Sequence, residues 1–192
     1  INGQLNTIHA LHIDAGFVYL WGSNLFGGTG VICDLNADPW NPVYVGNTSG
    51  ADPNYIHDGY IRNNILYGSH VYDGYFSIMD VTNKANPVLI NTQSTPGTFT
   101  HNCWLNDAGT VLFTTDEINN SFLASYDISN PQNIELLDKY QTDPGSNVIV
   151  HNTHTLNDYE VVSWYKSGVV IVDIAHPDNM IETGHYDTSP LS

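Results

Sequence analysis

Short apolar runs separated by turn signals recur along the whole chain, and no window of twelve or more residues shows helical periodicity. Residues 57–93 illustrate the pattern: Asn63-Asn64 predicts a tight turn, Asp73-Gly74 a hairpin and Asn86-Pro87 a further turn. The strands predicted between these turns are 58–62, 65–70, 75–81 and 88–92. This segment therefore predicts four short antiparallel strands.

The same unit occurs four times, each time as a β-rich run that ends in Asp and leads into a Pro-containing turn. The four Asp are 46, 47 and 46 residues apart, and they are Asp34, Asp80, Asp127 and Asp173. A regular period of this length is typical of the four-stranded antiparallel blades of a β-propeller, whereas a β-sandwich does not require it. We expect each Asp to bind the backbone amides of the turn that follows it.

The repeats define the domain organisation. We interpret residues 1–192 as one all-β propeller domain or the C-terminal part of one, and we expect the complete propeller to have six or seven blades. The predicted blades are about 6–50, 51–97, 98–145 and 146–190.

A histidine forms the second mark of the repeat, because it precedes each Asp by 22 to 26 residues. These histidines are His9, His57, His101 and His151. Each stands at the start of the predicted first strand of its blade, and first strands line the channel of a propeller. The four imidazoles should therefore surround one end of the channel.

Imidazoles with carboxylates nearby suit a divalent metal: Zn or Cu if imidazole dominates, Ca if oxygen ligands do. The candidate metal ligands are His9, His57, Asp58, His101, Asp116, Glu117 and His151. A structural alternative stays open, in which each histidine is a hydrogen-bonding device between blades with the following Asp or Asn as its partner. We place His12 and His154 second, because residues three apart on a regular strand face opposite sides.

Second strands run back to the same rim, so residues near their ends are candidate ligand contacts. The candidates at the channel rim are His70, Trp164 and Tyr165 from second strands, with Asn102 and Asn152, which directly follow two of the channel histidines. Nucleophilic catalysis has little support, because no Gly-x-Ser-x-Gly elbow occurs. Asp116 and Glu117 should face opposite ways on a strand and make a poor acid–base pair.

The charge balance excludes two classes of partner. The chain carries 20 acidic and four basic residues, a net charge of −16, and it lacks the Lys/Arg clusters that bind nucleic acid. The same balance argues against an anionic membrane surface, and no run approaches the roughly 20 apolar residues of a membrane span. Cys33 and Cys103 occupy different points of the repeat, so we predict no disulfide.

The chain resembles the choice-of-anchor B family of extracellular proteins, which are built from LVIVD-type propeller repeats. The resemblance rests on segments spread along nearly the whole chain. These include His57-Asp58, residues 80–87, residues 101–105, Asp116-Glu117, His151-Asn152, residues 163–173 and residues 185–190. The chain differs from the family at Asn102-Cys103, where the family tends to carry Gln-Gly. The chain also lacks a longer insertion after His57-Asp58. The resemblance implies an extracellular or cell-surface protein, held by an anchor that would lie beyond Ser192, with further blades before Ile1.

Three functions remain open at this stage. The first is a non-enzymatic binding module that presents its loops to an extracellular protein or glycan. The second is a metal-dependent enzyme that uses the histidine ring. The third is a structural subunit of an extracellular assembly, since open blade edges invite partners. We favour the binding module, because fold alone carries no activity and the resemblance brings no settled reaction with it.

Overall fold

The computed structural model of the protein describes residues 3–188, which form sixteen β-strands in four antiparallel sheets of four strands each. The first blade contains β1 (Ala10–Asp14), β2 (Phe17–Trp21), β3 (Val31–Asp34) and β4 (Val43–Asn47). The second contains β5 (Asp58–Arg62), β6 (Ile65–His70), β7 (Tyr75–Asp80) and β8 (Val88–Ser94). The third contains β9 (Thr100–Leu105), β10 (Val111–Asp116), β11 (Leu123–Asp127) and β12 (Glu135–Tyr140). The fourth contains β13 (Val150–Leu156), β14 (Tyr159–Trp164), β15 (Gly168–Asp173) and β16 (Ile181–Tyr186).

Each sheet pairs its strands in chain order, which is the meander of a propeller blade. The first strands of neighbouring blades lie side by side, β1 against β5, β5 against β9 and β9 against β13, so they form the inner wall. The prediction of an all-β propeller with four-stranded antiparallel blades is confirmed. The described residues contain no α-helix, and their only helical turn is the 3-10 segment Phe26–Gly28.

Apolar side chains fill the three interfaces between consecutive blades. Tyr19 and Trp21 of the first blade pack against Ile61 and Leu66 of the second, and all four are buried. The second interface buries Tyr67, Phe76, Ile78, Cys103, Leu105, Leu112, Ala124, Tyr126 and Ile128. The third buries Val111, Phe113, Leu123, Val148, Val150, Val162, Trp164, Val170, Val172, Ile174 and Met180. Burial of these faces is the main stabilising term that holds the blades together.

The first blade carries the same kind of apolar face on its other side. Val18, Leu20, Val31 and Cys33 form a separate cluster there, and Ile13 beside them is 59% exposed. Ile13 and Val18 pair across β1 and β2 as Ile61 and Leu66 do across β5 and β6. This side of each later blade packs against the blade before it. An open segment of a larger propeller fits this arrangement, and the number of blades in the complete protein stays a prediction.

The repeated Asp act as predicted. Asp34 accepts the amide of Asn36 at 2.7 Å, and Asp80 accepts that of Thr82 at 2.7 Å. The two later copies accept the amides of Ser129 and Ala175 at 2.8 and 2.9 Å. Hydrogen bonds from Thr82 lower the pKa of Asp80, which keeps this carboxylate ionised as an acceptor. The four Asp are therefore turn-fixing residues.

The two cysteines are free and buried in different blades. The thiol of Cys103 donates to the carbonyl of Tyr67 at 3.4 Å, so it packs at the interface of the second and third blades. No helix among residues 3–188 is long and apolar enough to cross a membrane.

Candidate metal centre

A β-bulge begins the first strand of every blade, and each of the four repeated histidines lies in it. In the first blade the amide of His9 donates to Trp21 O at 2.9 Å, although Ala10 is the residue paired with Trp21. In the second blade His57 donates to Ser69 O at 2.8 Å while Asp58 pairs with Ser69. Two residues of the first strand therefore lie opposite one residue of the second strand. The extra residue interrupts the regular alternation of side chains between the two faces of the sheet.

The third and fourth blades contain the same irregularity. Thr100 pairs with Asp116 and Asn102 with Thr115, which leaves His101 without an opposite residue. In the fourth blade the register changes between Val150 and Thr153, on either side of His151. Bulges re-aim side chains and occur often beside functional sites.

The four imidazoles form one continuous arc on the inner wall. The ring centroids lie 3.9 Å apart for His9 and His57, 4.5 Å for His57 and His101, and 4.2 Å for His101 and His151. Each blade therefore places its histidine against the histidine of the next blade. We call this arc the upper tier.

Glu117 approaches the upper tier from the loop after β10. Its carboxylate oxygens lie 3.4 Å from His101 Nε2 and 3.7 Å from His151 Nε2. The hydroxyl of Tyr165 donates to the same carboxylate, and the Tyr165 ring lies 5.2 Å from that of His151. The hydrogen bond to Glu117 raises the pKa of Tyr165 to about 12, so Tyr165 remains a donor that orients the carboxylate.

Two groups of potential metal ligands result, and His101 belongs to both. One group is His9, His57 and His101, and the other is His101, Glu117 and His151. Within each group the ligand atoms all lie within 4.8 Å of one another. The second group is a set of two imidazoles and one carboxylate, a donor set that suits first-row transition metals and leaves coordination positions open.

Burial and mutual repulsion keep the central imidazoles neutral. Burial, with the neighbouring His9 and His151, lowers the pKa of His57 to about 4. Burial, with His151 and His57, lowers the pKa of His101 to about 3. Neutral imidazole is the form that binds a metal ion, so these two rings need no deprotonation at neutral pH.

Asp58 does not join the cluster, contrary to our expectation. Its carboxylate accepts the side-chain amide of Asn102 at 2.8 Å and the backbone amide of Gly59 at 2.8 Å. The carbonyl oxygen of Asn102 in turn accepts the amide of Thr153 at 3.0 Å. This series of hydrogen bonds links the second, third and fourth blades. Within residues 3–188, the rings of His57, His101 and His151 make no hydrogen bond to the Asp or Asn that follows each of them. The His101 ring instead hydrogen-bonds to the backbone of His151 in the next blade, so the structural alternative stays open with a different partner.

Asp116 is also misassigned as a metal ligand. It is fully buried, and its carboxylate accepts the amides of Gly97 and Phe99 at 2.9 and 3.0 Å and the hydroxyl of Thr95. Burial raises the pKa of Asp116, and these hydrogen bonds oppose that shift. The residue holds the loop before β9, while its neighbour Glu117 faces the histidines.

Two predicted rim residues lie inside the blades instead. His70 is fully buried, its Nε2 lies 2.8 Å from the hydroxyl of Ser77, and its ring stacks on Tyr75 at 4.3 Å. Trp164 is 1% exposed and packs in the interface of the third and fourth blades. The prediction that both residues lie near the ends of second strands is confirmed, but the predicted direction of each side chain was wrong.

Tyr165, Asn102 and Asn152 have different surroundings. Tyr165 is 53% exposed beside the cluster, whereas Asn102 is buried and hydrogen-bonded to Asp58 and Thr153. Asn152 lies in the bulge next to His151, where its amide donates to the hydroxyl of Ser163 at 2.9 Å. A ligand role of these residues stays a prediction.

Sequence reasoning missed a lower tier of rings on the same wall. His12 lies 5.0 Å from Tyr60, Tyr60 lies 4.6 Å from Trp104, and Trp104 lies 4.3 Å from His154, measured between ring centroids. Each ring stands three residues after the upper-tier histidine of its blade. The bulge lets both residues face the inner wall, so the expectation that residues three apart face opposite sides was wrong for His12 and His154. The signal was present as His-x-x-aromatic in all four repeats.

Comparison with known proteins supports the architecture. Residues 63–95 and 156–188 match the LVIVD repeat, and these segments cover the last three strands of the second and fourth blades. No curated protein matches the chain in sequence.

Solved structures that resemble the chain include propellers. The periplasmic gluconolactonase of Pseudomonas aeruginosa superposes with a TM-score of 0.69 at 10% identity, over 91% of this chain and 55% of that one. A hypothetical selenium-binding protein from Sulfolobus tokodaii gives 0.74 at 14%, over 97% and 50%. The β-propeller domain of Cps50 (Swd1) from Myceliophteria thermophila gives 0.65 at 13%, over 94% and 61%. At these identities the likeness shows the fold alone, and the chain spans about half the length of the first two structures.

Proposed function

We propose that this chain is part of an extracellular binding module whose propeller rim holds a transition-metal ion. The observation that carries the proposal is the pair of ligand groups that share His101, with all ligand atoms of each group within 4.8 Å. The neutral state of His57 and His101 and the net charge of −16 both favour capture of a cation.

The donor set selects among the metals that the sequence suggested. Three imidazoles, or two imidazoles and one carboxylate, suit Zn or Cu. Calcium takes six to eight oxygen ligands, and Glu117 is the single carboxylate in the two groups. We therefore propose Zn²⁺ or Cu²⁺ and no longer Ca²⁺.

Metal binding can be tested on the purified 192-residue chain. We expect Zn²⁺ to be retained through gel filtration and to titrate to saturation by calorimetry. His101→Ala should weaken Zn²⁺ binding about 100-fold or more, because it removes the ligand that both groups share, and loss of outer-shell partners alone costs 10- to 100-fold. The matched control is His176→Ala, an exposed loop histidine, which should bind Zn²⁺ as the unmodified chain does. An unmodified chain that retains no Zn²⁺ or Cu²⁺ contradicts the proposal.

The extracellular location rests on the resemblance to the choice-of-anchor B family and on the match of two segments to the LVIVD repeat. Protease treatment of intact source cells tests it. A surface protein is cleaved while cytoplasmic markers survive, and protection until the cells are lysed would contradict the proposed location. The partner at this surface is proposed to be a protein or a glycan.

A metal-dependent enzyme is a second candidate, and one observation favours it. His101, Glu117 and His151 supply three protein ligands, which leaves positions for water or substrate on the ion. The ion would act there as a Lewis acid, and Tyr165 would hold the carboxylate in place. Turnover that depends on the bound metal and is lost in Glu117→Gln would separate an enzyme from a binding module.

A further inference from the structure

The lower tier lies at the margin of the blade cores: Tyr60 packs against the core between the second and third blades, but none of the four rings is fully buried. Trp21 and Trp164, which do belong to the core, are 0% and 1% exposed, whereas Trp104 is only partly buried on the inner wall. Tyr60 is likewise half-buried, and His154 is exposed. Large aromatic side chains are costly to leave against water, and they are characteristic of ligand sites when they line a concave wall. The lower tier is a continuous aromatic surface of this kind.

The two tiers share their strands. His101 lies at the start of β9 and Trp104 three residues further along the same strand, a distance of roughly 10 Å or less at the rise of a β-strand. In the second blade His57 directly precedes β5 and Tyr60 lies within it, again three residues further along the chain. A small molecule coordinated by an ion at the upper tier and directed along the wall would therefore lie against Tyr60 and Trp104.

The side-chain charges near the lower tier limit the class of ligand that can bind there. Asp14 and Asp58 both act electrostatically on His12, so two carboxylates contribute negative charge at this end of the wall. The nearest basic side chain along these strands, Arg62, is already occupied, because it donates to the carbonyl oxygens of Asn106 and Asp107 at 3.0 and 2.7 Å. At Tyr60 the positive charge of Arg62 acts against two carboxylates, Asp14 and Asp107, so an acidic group that extends from the metal ion to the lower tier would meet net repulsion.

We propose that the wall binds an uncharged ring that carries adjacent hydroxyl groups, with the hydroxyls on the metal ion and the ring against Tyr60 and Trp104. Adjacent hydroxyls can fill the open coordination positions left by three protein ligands. A flat ring matches aromatic surfaces, which favour stacked and edge-to-face contacts at centroid distances of 4.5 to 7 Å. This inference rests on the proposed metal site. Catechols and sugars share the chemistry, and the test distinguishes them.

The test uses the full 192-residue chain loaded with Zn²⁺, which is redox-inert, and titrates it separately with catechol and with D-mannose by calorimetry. We expect at least one of them to bind. Trp104→Leu should weaken that binding at least tenfold while the affinity for Zn²⁺ is unchanged. Trp40→Leu is the matched control, because Trp40 is 90% exposed in a loop of the first blade, and it should change neither affinity. Circular dichroism checks folding, and Tyr60→Leu serves as a second variant if Trp104→Leu does not fold.

Each outcome decides one question. Binding of catechol alone assigns an aromatic ligand, binding of mannose alone assigns a sugar, and binding of both supports the shared chemistry. If Zn²⁺ loads but neither ring binds, or if both Trp104→Leu and Tyr60→Leu bind as well as the unmodified chain, the inference is wrong and the metal site stands. If Zn²⁺ does not load, the proposed function fails first and the inference falls with it.

Discussion

Glu160 should make the stability of the fourth blade depend on pH near neutrality. It is the second residue of β14, fully buried, and the second residues of β2, β6 and β10 are the apolar Val18, Leu66 and Leu112. Its described hydrogen-bond partners are the hydroxyls of Thr153 and Thr155. Burial raises the pKa of Glu160 to about 7, and the two threonines only partly oppose this shift. A carboxyl group therefore occupies a position that the other blades fill with hydrocarbon.

The magnitude follows from linkage between protonation and folding. The folded chain holds the Glu160 proton up to a pKa of about 7, whereas the unfolded chain releases it near 4.5. The contribution of this proton to stability is therefore complete below pH 4.5 and is lost as the pH rises through 7. A difference of two to three pKa units corresponds to about 3 kcal/mol of unfolding free energy.

The perturbation is Glu160→Gln, which keeps the shape and hydrogen-bonding capacity of the protonated carboxyl group. Urea unfolding, followed by tryptophan fluorescence from pH 4.5 to 8, gives the free energy of unfolding for both chains. We expect the variant to match the unmodified chain near pH 4.5 and to be about 3 kcal/mol more stable at pH 8. The exposed Glu135→Gln is the matched control for loss of one charge.

The effect of Glu160 is isolated only by the difference in unfolding free energy between the unmodified chain and the Glu160→Gln variant. The lowered pKa values of His57 and His101 act in the opposite direction, because these groups bind protons more readily in the unfolded chain and so add stability as the pH rises towards 6.5. Both histidines are present in both chains, so their effect cancels in the difference. A difference that stays constant from pH 4.5 to 8 would refute the reasoning.

Three further predictions follow from contacts of Asp116, Leu66 and Tyr165. Asp116→Ala should lower the unfolding free energy by about 3 kcal/mol in urea, because it leaves the part-buried amides of Gly97 and Phe99 and the buried hydroxyl of Thr95 without their acceptor. It should leave Zn²⁺ affinity unchanged, and a selective loss of Zn²⁺ binding would contradict this. Leu66→Ala should cost about 2–5 kcal/mol, since Leu66 is fully buried between two blades, and a cost below 1 kcal/mol would contradict the interface. Tyr165→Phe should weaken Zn²⁺ binding about tenfold by calorimetry, because it frees Glu117, and unchanged affinity would exclude an orienting role.

The periodic features of the fold were predictable from the sequence because each blade repeats the same constraints. Strands β5 and β6 begin and end where the turn signals Asn63-Asn64 and Asp73-Gly74 place them. The third strand ends at Asp80, whose side chain fixes the next turn. Such local rules need no knowledge of neighbouring blades.

The direction of side chains was less accessible. Asp116 and Glu117 are adjacent, and alternation says only that they face opposite ways, as they do. The sequence does not say which of them faces the channel. The same ambiguity applies to Trp164 and Tyr165, which were both rim candidates although only Tyr165 lies beside the cluster. The bulges were not predictable either, because they are defined by backbone hydrogen bonds such as that from His57 to Ser69.

Regular recurrence alone does not separate a structural residue from a functional one, because the repeated Asp and the repeated His recur with nearly equal regularity. The contacts that the repeated Asp and the repeated His make do distinguish the two kinds of residue. Asp80 and its counterparts bind backbone amides two residues away, so each copy fixes a turn of its own blade. The upper-tier rings contact one another across blades and do not bond to the residue that follows them within their own blade. The turn contacts of each blade therefore do not involve its histidine, whereas the two groups of potential ligands combine histidines from neighbouring blades. Substitutions in the upper tier should accordingly affect metal binding far more than stability.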